Sequence, residues 1–241
     1  MTAPAVKFRG SATFGTLPLF GPLALEIGAG QWTCLLGPSG IGKSTILRLI
    51  AGLETGATFN GSITADDGVQ LEGRLAYMAQ SDLLLPWLNV IGNVLLGPNL
   101  RGQPGQQDRA NDLIRRVGLK DHAFKRPGEL SGGMRQRAAL ARTLIEDRPI
   151  ILLDEPFSAL DARTRAEMQE LSAELLDGRT VLLVTHDPAE AARLGHRITV
   201  MTESGLTAFD PPSSPPVRAH DDPETFACQV ALMDLIRAPA S

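Results

Sequence analysis

Short, nearly unbroken apolar runs alternate along this chain with stretches whose apolar positions recur every three or four residues. The runs Trp32–Leu36, Ile150–Leu153 and Val181–Val184 read as strands covered on both faces, as in a parallel sheet. Leu75–Met78 and Ile198–Met201 read as further strands, and Val6–Ile27 as two or three short ones punctuated by Gly10, Gly15, Gly21 and Pro22. Helical spacing follows over Ser44–Ile50, Asn111–Val117, Ala162–Leu176 and Pro223–Ile236. Ser131 is a predicted N-cap for a helix running to about Glu146, and Asp187-Pro188 opens another. From Leu83 to Leu100 the apolar clusters are broken by Pro86, Gly92, Gly97 and Pro98, and Pro211–Pro216 reads as a stiff surface loop. Strand and helix in alternation predict an α/β protein with a mostly parallel, doubly wound sheet.

The bulk numbers narrow this. A chain of 241 residues that is 43% hydrophobic can bury one sizeable domain with a small appended subdomain. A net charge of −4 gives no footprint for nucleic acid. Two cysteines, Cys34 and Cys228, offer neither a disulfide framework nor a metal-ligand set, which fits a reducing compartment. Met1–Phe14 has no apolar signal core, and no stretch reaches the roughly 18 apolar residues of a membrane span. Any action at a membrane is therefore expected to run through a partner. Four lysines in the whole chain make the position of each informative.

One of them, Lys43, closes Gly37-Pro38-Ser39-Gly40-Ile41-Gly42-Lys43-Ser44, a match to G-x-x-x-x-G-K-S between a strand and a helix. Glycines let successive backbone N–H groups turn toward phosphate oxygens, and the helix that follows adds its positive end. Lys43 would neutralise the outer phosphates, the Ser44 hydroxyl would ligate Mg²⁺, and Thr45 follows in the same turn. The run Ile150–Leu153 delivers Asp154 and Glu155 to the carboxyl edge of the sheet. Asp154 suits the Mg²⁺ shell, and Glu155 suits polarisation of an attacking water. An acidic pair ending a strand is a weak signal by itself and gains meaning only beside the phosphate loop.

Leu130-Ser131-Gly132-Gly133-Met134-Arg135-Gln136-Arg137 resembles the signature motif of ATP-binding cassette ATPases, and the motif order matches that family over nearly the whole length. The resemblance implies a P-loop NTPase (RecA-like) core with an N-terminal antiparallel β subdomain and a small helical subdomain, with residues about 1–80 and 146–241 in the core and about 81–145 in the helical part. It places Phe14 where an aromatic stacks on adenine, though a core aromatic is the alternative for this residue. It places Gln80 as sensor of Mg²⁺ and water, His186 at the γ-phosphate, and Ser158–Asp161 across a dimer interface. Ser131, Gly132 and Gly133 would contact ATP held by a second copy, so a head-to-tail homodimer would complete two sites. ATP and Mg²⁺ are the implied cofactors.

In this family the insert at about Ser81–Leu130 docks a membrane permease. Its run Leu83–Val90, with Trp87, has two readings: a partner surface, or packing of the subdomain itself. Together with Leu152–Asp161, the run resembles importers of the nitrate, sulfonate and taurine branch, and among them the group that imports pyrimidine precursors of thiamine. The implied partners are permease subunits and an extracytoplasmic solute-binding protein, with the chain peripheral at the cytoplasmic face of a bacterial inner membrane. Two other classes stay open: the motor of an exporter, and a soluble cassette of translation or repair. A single cassette and no heptad run argue against the soluble class. The stretch after the last predicted strand is too short for a regulatory domain.

Overall fold

The computed structural model describes residues 3–103 and 105–237. In chain order the elements are β1 (Val6–Phe14), β2 (Leu17–Ile27), β3 (Trp32–Leu36), α1 (Lys43–Ile50), β4 (Thr58–Ala65), β5 (Leu75–Met78), α2 (Val90–Val94), α3 (Leu96–Leu100), α4 (Gln107–Arg116), α5 (Gly132–Leu144), β6 (Ile150–Asp154), α6 (Ala162–Leu175), β7 (Thr180–Thr185), α7 (Pro188–Leu194), β8 (Arg197–Thr202), β9 (Gly205–Phe209) and α8 (Pro223–Arg237). They fall into two compact units. Among the described residues, one unit falls within 1–75, 149–154 and 177–241, and the other within 76–148 and 155–176.

The first unit is built on the predicted apolar runs. Every residue of β3, β6 and β7 is buried. They lie side by side in the order β6-β7-β3-β8-β9, parallel except for the β8–β9 pair. Helices cover such a sheet on both faces, which is why its strands carry no polar alternation. A second, three-stranded sheet has the order β2-β1-β4 and is antiparallel throughout. The sequence pattern found β1 and β2 but not β4 or β9. In both missed strands most residues are partly or fully exposed, so neither shows an apolar run.

The second unit is mainly helical. α5 begins at Gly132 with Ser131 as N-cap, as predicted. The stretch Leu83–Leu100, which reads as broken clusters, contains α2 and α3. Pro98 is tolerated because it is the third residue of α3, inside the first turn, where its missing N–H has no helical partner. Asn89 caps α2 by accepting from the Gly92 N–H at 2.9 Å.

One histidine in the first unit makes its stability sensitive to acid. His196 Nδ1 accepts from the Trp32 N–H at 3.2 Å, and the His196 N–H donates to the Trp32 carbonyl at 2.9 Å. Burial, and then the nearby Arg218 guanidinium, hold its pKa below the ordinary 6.5. The folded chain thus favours the neutral ring, so this contribution is present above about pH 6.5 and declines as pH falls from there toward the lower folded value. Denaturant titrations between pH 7.5 and 5.5 should show a smaller loss of stability for His196→Asn than for the parent; equal losses would contradict it.

Candidate functional site

In the first unit, three strands bring their carboxyl ends to one edge. Leu36 pairs with Thr185, and Asp154 pairs with Val184. The phosphate loop, Asp154 and His186 therefore leave the sheet together. The loop turns at once: a side chain at Gly37 would lie 2.4 Å from the Met201 carbonyl, so only glycine fits. Gly42, the N-cap of α1, has φ 108°, a left-handed conformation that other residues rarely adopt. Lys43 is buried and curls back, its ammonium donating to the carbonyls of Gly37 and Pro38, both at 2.7 Å. Pro38, Ser39 and Gly40 are exposed at the turn, Ile41 is half-buried, and Thr45 is half-buried in the first turn of α1.

Ser44 and Asp154, which are 110 residues apart in the chain, meet here: the Ser44 hydroxyl donates to Asp154 Oδ1 at 2.9 Å. A hydroxyl beside a buried carboxylate is a hard-oxygen pair of the kind Mg²⁺ takes, with a lysine close by for phosphate charge. The residues present thus fit both ATP and Mg²⁺. His186 follows β7 and is exposed. The turn beneath it is fixed by Thr185, whose hydroxyl donates to the buried Glu190 carboxylate at 2.7 Å and accepts from the Asp187 N–H at 3.0 Å. Asp187 in turn caps α7. Phe14 ends β1 and is 44% exposed, so it is not a core aromatic.

In the second unit, Gln80 and Glu155 meet: Gln80 Nε2 donates to Glu155 Oε2 at 2.9 Å. Glu155 adopts φ 48°, in the left-handed region. Ser131 and Gly132 are exposed at the start of α5, and Ser131 Oγ accepts from the Met134 N–H at 3.2 Å. Gly133 is half-buried: a side chain there would meet the Ala159 carbonyl and the Leu160 side chain at 3.4 Å. Gln136 binds the same segment through its side-chain amide, donating to the Glu155 carbonyl at 3.0 Å and accepting from the Ala159 N–H at 2.8 Å.

The run Leu83–Val90 divides between its two readings. Leu84 and Val90 pack inside, whereas Leu83 and Trp87 are 62% and 66% exposed. Side chains hold the exposed part in shape. Arg142 donates to the carbonyls of Asp82 and Leu83 at 2.6 and 2.7 Å, and Arg135 donates to Asp82 Oδ2 at 3.0 Å. The buried Asn93 bridges the backbone of Leu85, Leu88 and Asn89. Leu83 itself has φ 46°. Burial holds the Arg142 guanidinium below its ordinary pKa, against the pull of Asp82 and Glu146.

The family described as ABC transporter matches residues 20–158. The chain belongs to this family. An uncharacterized ABC transporter ATP-binding protein of Haemophilus influenzae is 46% identical over 193 residues, covering 79% of each chain. An aliphatic sulfonates import ATP-binding protein of Rhodococcus jostii is 46% identical over 76% of this chain and 73% of its own length. Another of that name from Agrobacterium fabrum is 48% identical over 76% and 70%. Among solved structures, a dimeric ATP-binding cassette in a post-hydrolysis state with ADP and Pi aligns with a TM-score of 0.73 at 29% identity, covering 89% of this chain and 99% of that one. An ATP-bound bacterial exporter of the Atm1 family also aligns with a TM-score of 0.73, at 26% identity, covering 85% of this chain and 38% of that one. The cassette fold is the P-loop NTPase architecture described above.

Gln136, Thr185, Glu190, Asp82 and Arg142 were not singled out by their chemistry in the sequence. Gln136 lies inside the signature segment, but nothing in spacing announces its partners on a loop 19 to 23 residues away. The cap at Ser131 gives a direct test of local energetics. Ser131→Ala should destabilise the second unit by about 1 kcal/mol and Ser131→Gly by only a few tenths. Urea titration followed by helix signal reads this; equal losses for the two variants would contradict the capping role.

Proposed function

We propose that this chain is the ATP-binding and ATP-hydrolysing subunit of a bacterial importer, working as a head-to-tail pair with Mg²⁺ at the cytoplasmic face of the inner membrane. The observation that carries this reading is the Ser44–Asp154 pair beside Lys43, a donor set suited to phosphate and magnesium, within a chain of the cassette family. Residues about 1–80 and 146–241 act as the nucleotide-binding core, and about 81–145 as the signature subdomain. Phe14 stacks on the adenine ring, where a flat apolar face is sufficient. The loop from Gly37 to Thr45, through Pro38, Ser39, Gly40, Ile41, Gly42, Lys43 and Ser44, holds the phosphates.

Ser44, Asp154 and Gln80 would hold Mg²⁺, which would neutralise charge on the phosphate oxygens. Glu155 accepts a proton from the attacking water, and His186 holds the γ-phosphate for in-line attack. Lys43 balances the charge that builds on the phosphoryl oxygens. Ser131, Gly132 and Gly133 present their N-terminal helix turn to ATP on the second copy, so that binding draws the copies together and hydrolysis releases them.

Among the described residues no helix is long and apolar enough to cross a membrane. We therefore assign the membrane path to separate permease subunits, and the exposed Leu83 and Trp87 to their docking surface. An extracytoplasmic solute-binding protein would deliver the solute. The names of the sulfonate relatives favour an organic sulfonate over a thiamine precursor.

Glu155→Gln should lower ATP turnover by roughly 10²-fold or more while ATP affinity stays within about twofold. Turnover at the parent rate would remove Glu155 from the role of base. The same variant, tagged and purified with ATP from detergent-solubilised native membranes, should bring with it a multi-span permease; recovery of soluble partners alone would contradict the transport assignment.

A further inference from the structure

Glu155 is held in two places by two different amides. Gln80 holds the end of its side chain, at Oε2. Gln136 holds its backbone carbonyl and, with the other end of the same amide, the N–H of Ala159. The segment between the Glu155 carbonyl and the Ala159 N–H follows directly on the end of β6 and begins with a non-glycine residue at φ 48°. A left-handed backbone at such a residue persists only where its surroundings fix it. The Ser158 hydroxyl also donates to the Glu155 carbonyl, at 3.0 Å, but that residue is exposed, whereas Gln136 is 5% exposed and sits on a 13-residue helix.

The chemistry at this position is specific. One side chain must donate to a carbonyl and accept from an N–H at the same time. An amide does both; a carboxylate only accepts, and a thioether does neither usefully. We infer that Gln136 is the positioning residue for Glu155: it fixes the backbone from which the carboxylate projects, and Gln80 then sets the carboxylate itself. The same helix begins at Ser131, so the base and the turn offered to the second copy are joined through one side chain. The inference rests on Glu155 acting as the base.

The full-length chain with Gln136→Glu, and separately with Gln136→Met, tests this. Steady-state ATPase measurements should give kcat at least about tenfold below the parent, with KM and the affinity for a fluorescent ATP analogue within about twofold. A loss of ATP affinity or of melting temperature in step with kcat would mark a merely structural role and overturn the inference, as would kcat within twofold of the parent. Glu155→Gln is run alongside. If it is inactive while both Gln136 variants work normally, the inference alone fails; if it is active, the reading of Glu155 as base fails with it. Should neither Gln136 variant fold, the unmodified chain decides by amide exchange. The Ala159 N–H should exchange about 10²-fold or more below the rate of a free amide, and exchange at the free rate would overturn the inference.

Discussion

Parallel strands in register must release their loops at the same edge, and the chemistry of this chain depends on that constraint. β3, β6 and β7 are buried throughout, so their register is set by packing on both faces and cannot slip without exposing apolar surface. With Leu36 opposite Thr185 and Asp154 opposite Val184, the glycine-rich loop, the Asp154 carboxylate and His186 emerge side by side. Residues more than a hundred positions apart thereby reach hydrogen-bond distance, as Ser44 and Asp154 do at 2.9 Å.

Placing charge at that edge has a cost that local structure offsets. Lys43 and Asp154 are both buried, where an unpaired charge would be strongly unfavourable. Lys43 is met by two carbonyls of its own loop and Asp154 by the Ser44 hydroxyl. In the second unit the cost is conformational. Glu155 and Leu83 are non-glycine residues with left-handed backbones, each unfavourable by about 1–3 kcal/mol. Each has its carbonyl bound by a side chain of α5, Gln136 in one case and Arg142 in the other. The helix that carries the signature also holds the acidic residue beside Gln80 and the loop that displays Trp87.

Much of the scaffold could be read from the sequence because burial on both faces writes an unbroken apolar run. Trp32–Leu36, Ile150–Leu153 and Val181–Val184 are such runs, and the glycine pattern after the first marks the turn a phosphate needs. β4 and β9 escaped because half-exposed strands carry no such pattern. α2 and α3 escaped because Gly92, Gly97 and Pro98 speak against a helix, although Pro98 occupies a first turn that accepts it. Side-chain-to-backbone anchors such as those of Gln136, Arg142 and Asn93 left no trace either. Their partners are main-chain groups, which every residue has, so only the folded geometry picks them out.

The Ser131 end of α5 is proposed to complete a nucleotide site on a second copy. Analytical ultracentrifugation of Glu155→Gln with ATP, compared with the same chain also carrying Ser131→Arg, tests it most directly. An ATP-dependent dimer is expected for the first, and a monomer that still binds ATP for the second. Equal dimerisation of both, or an ATP-bound monomer in the first, would contradict it.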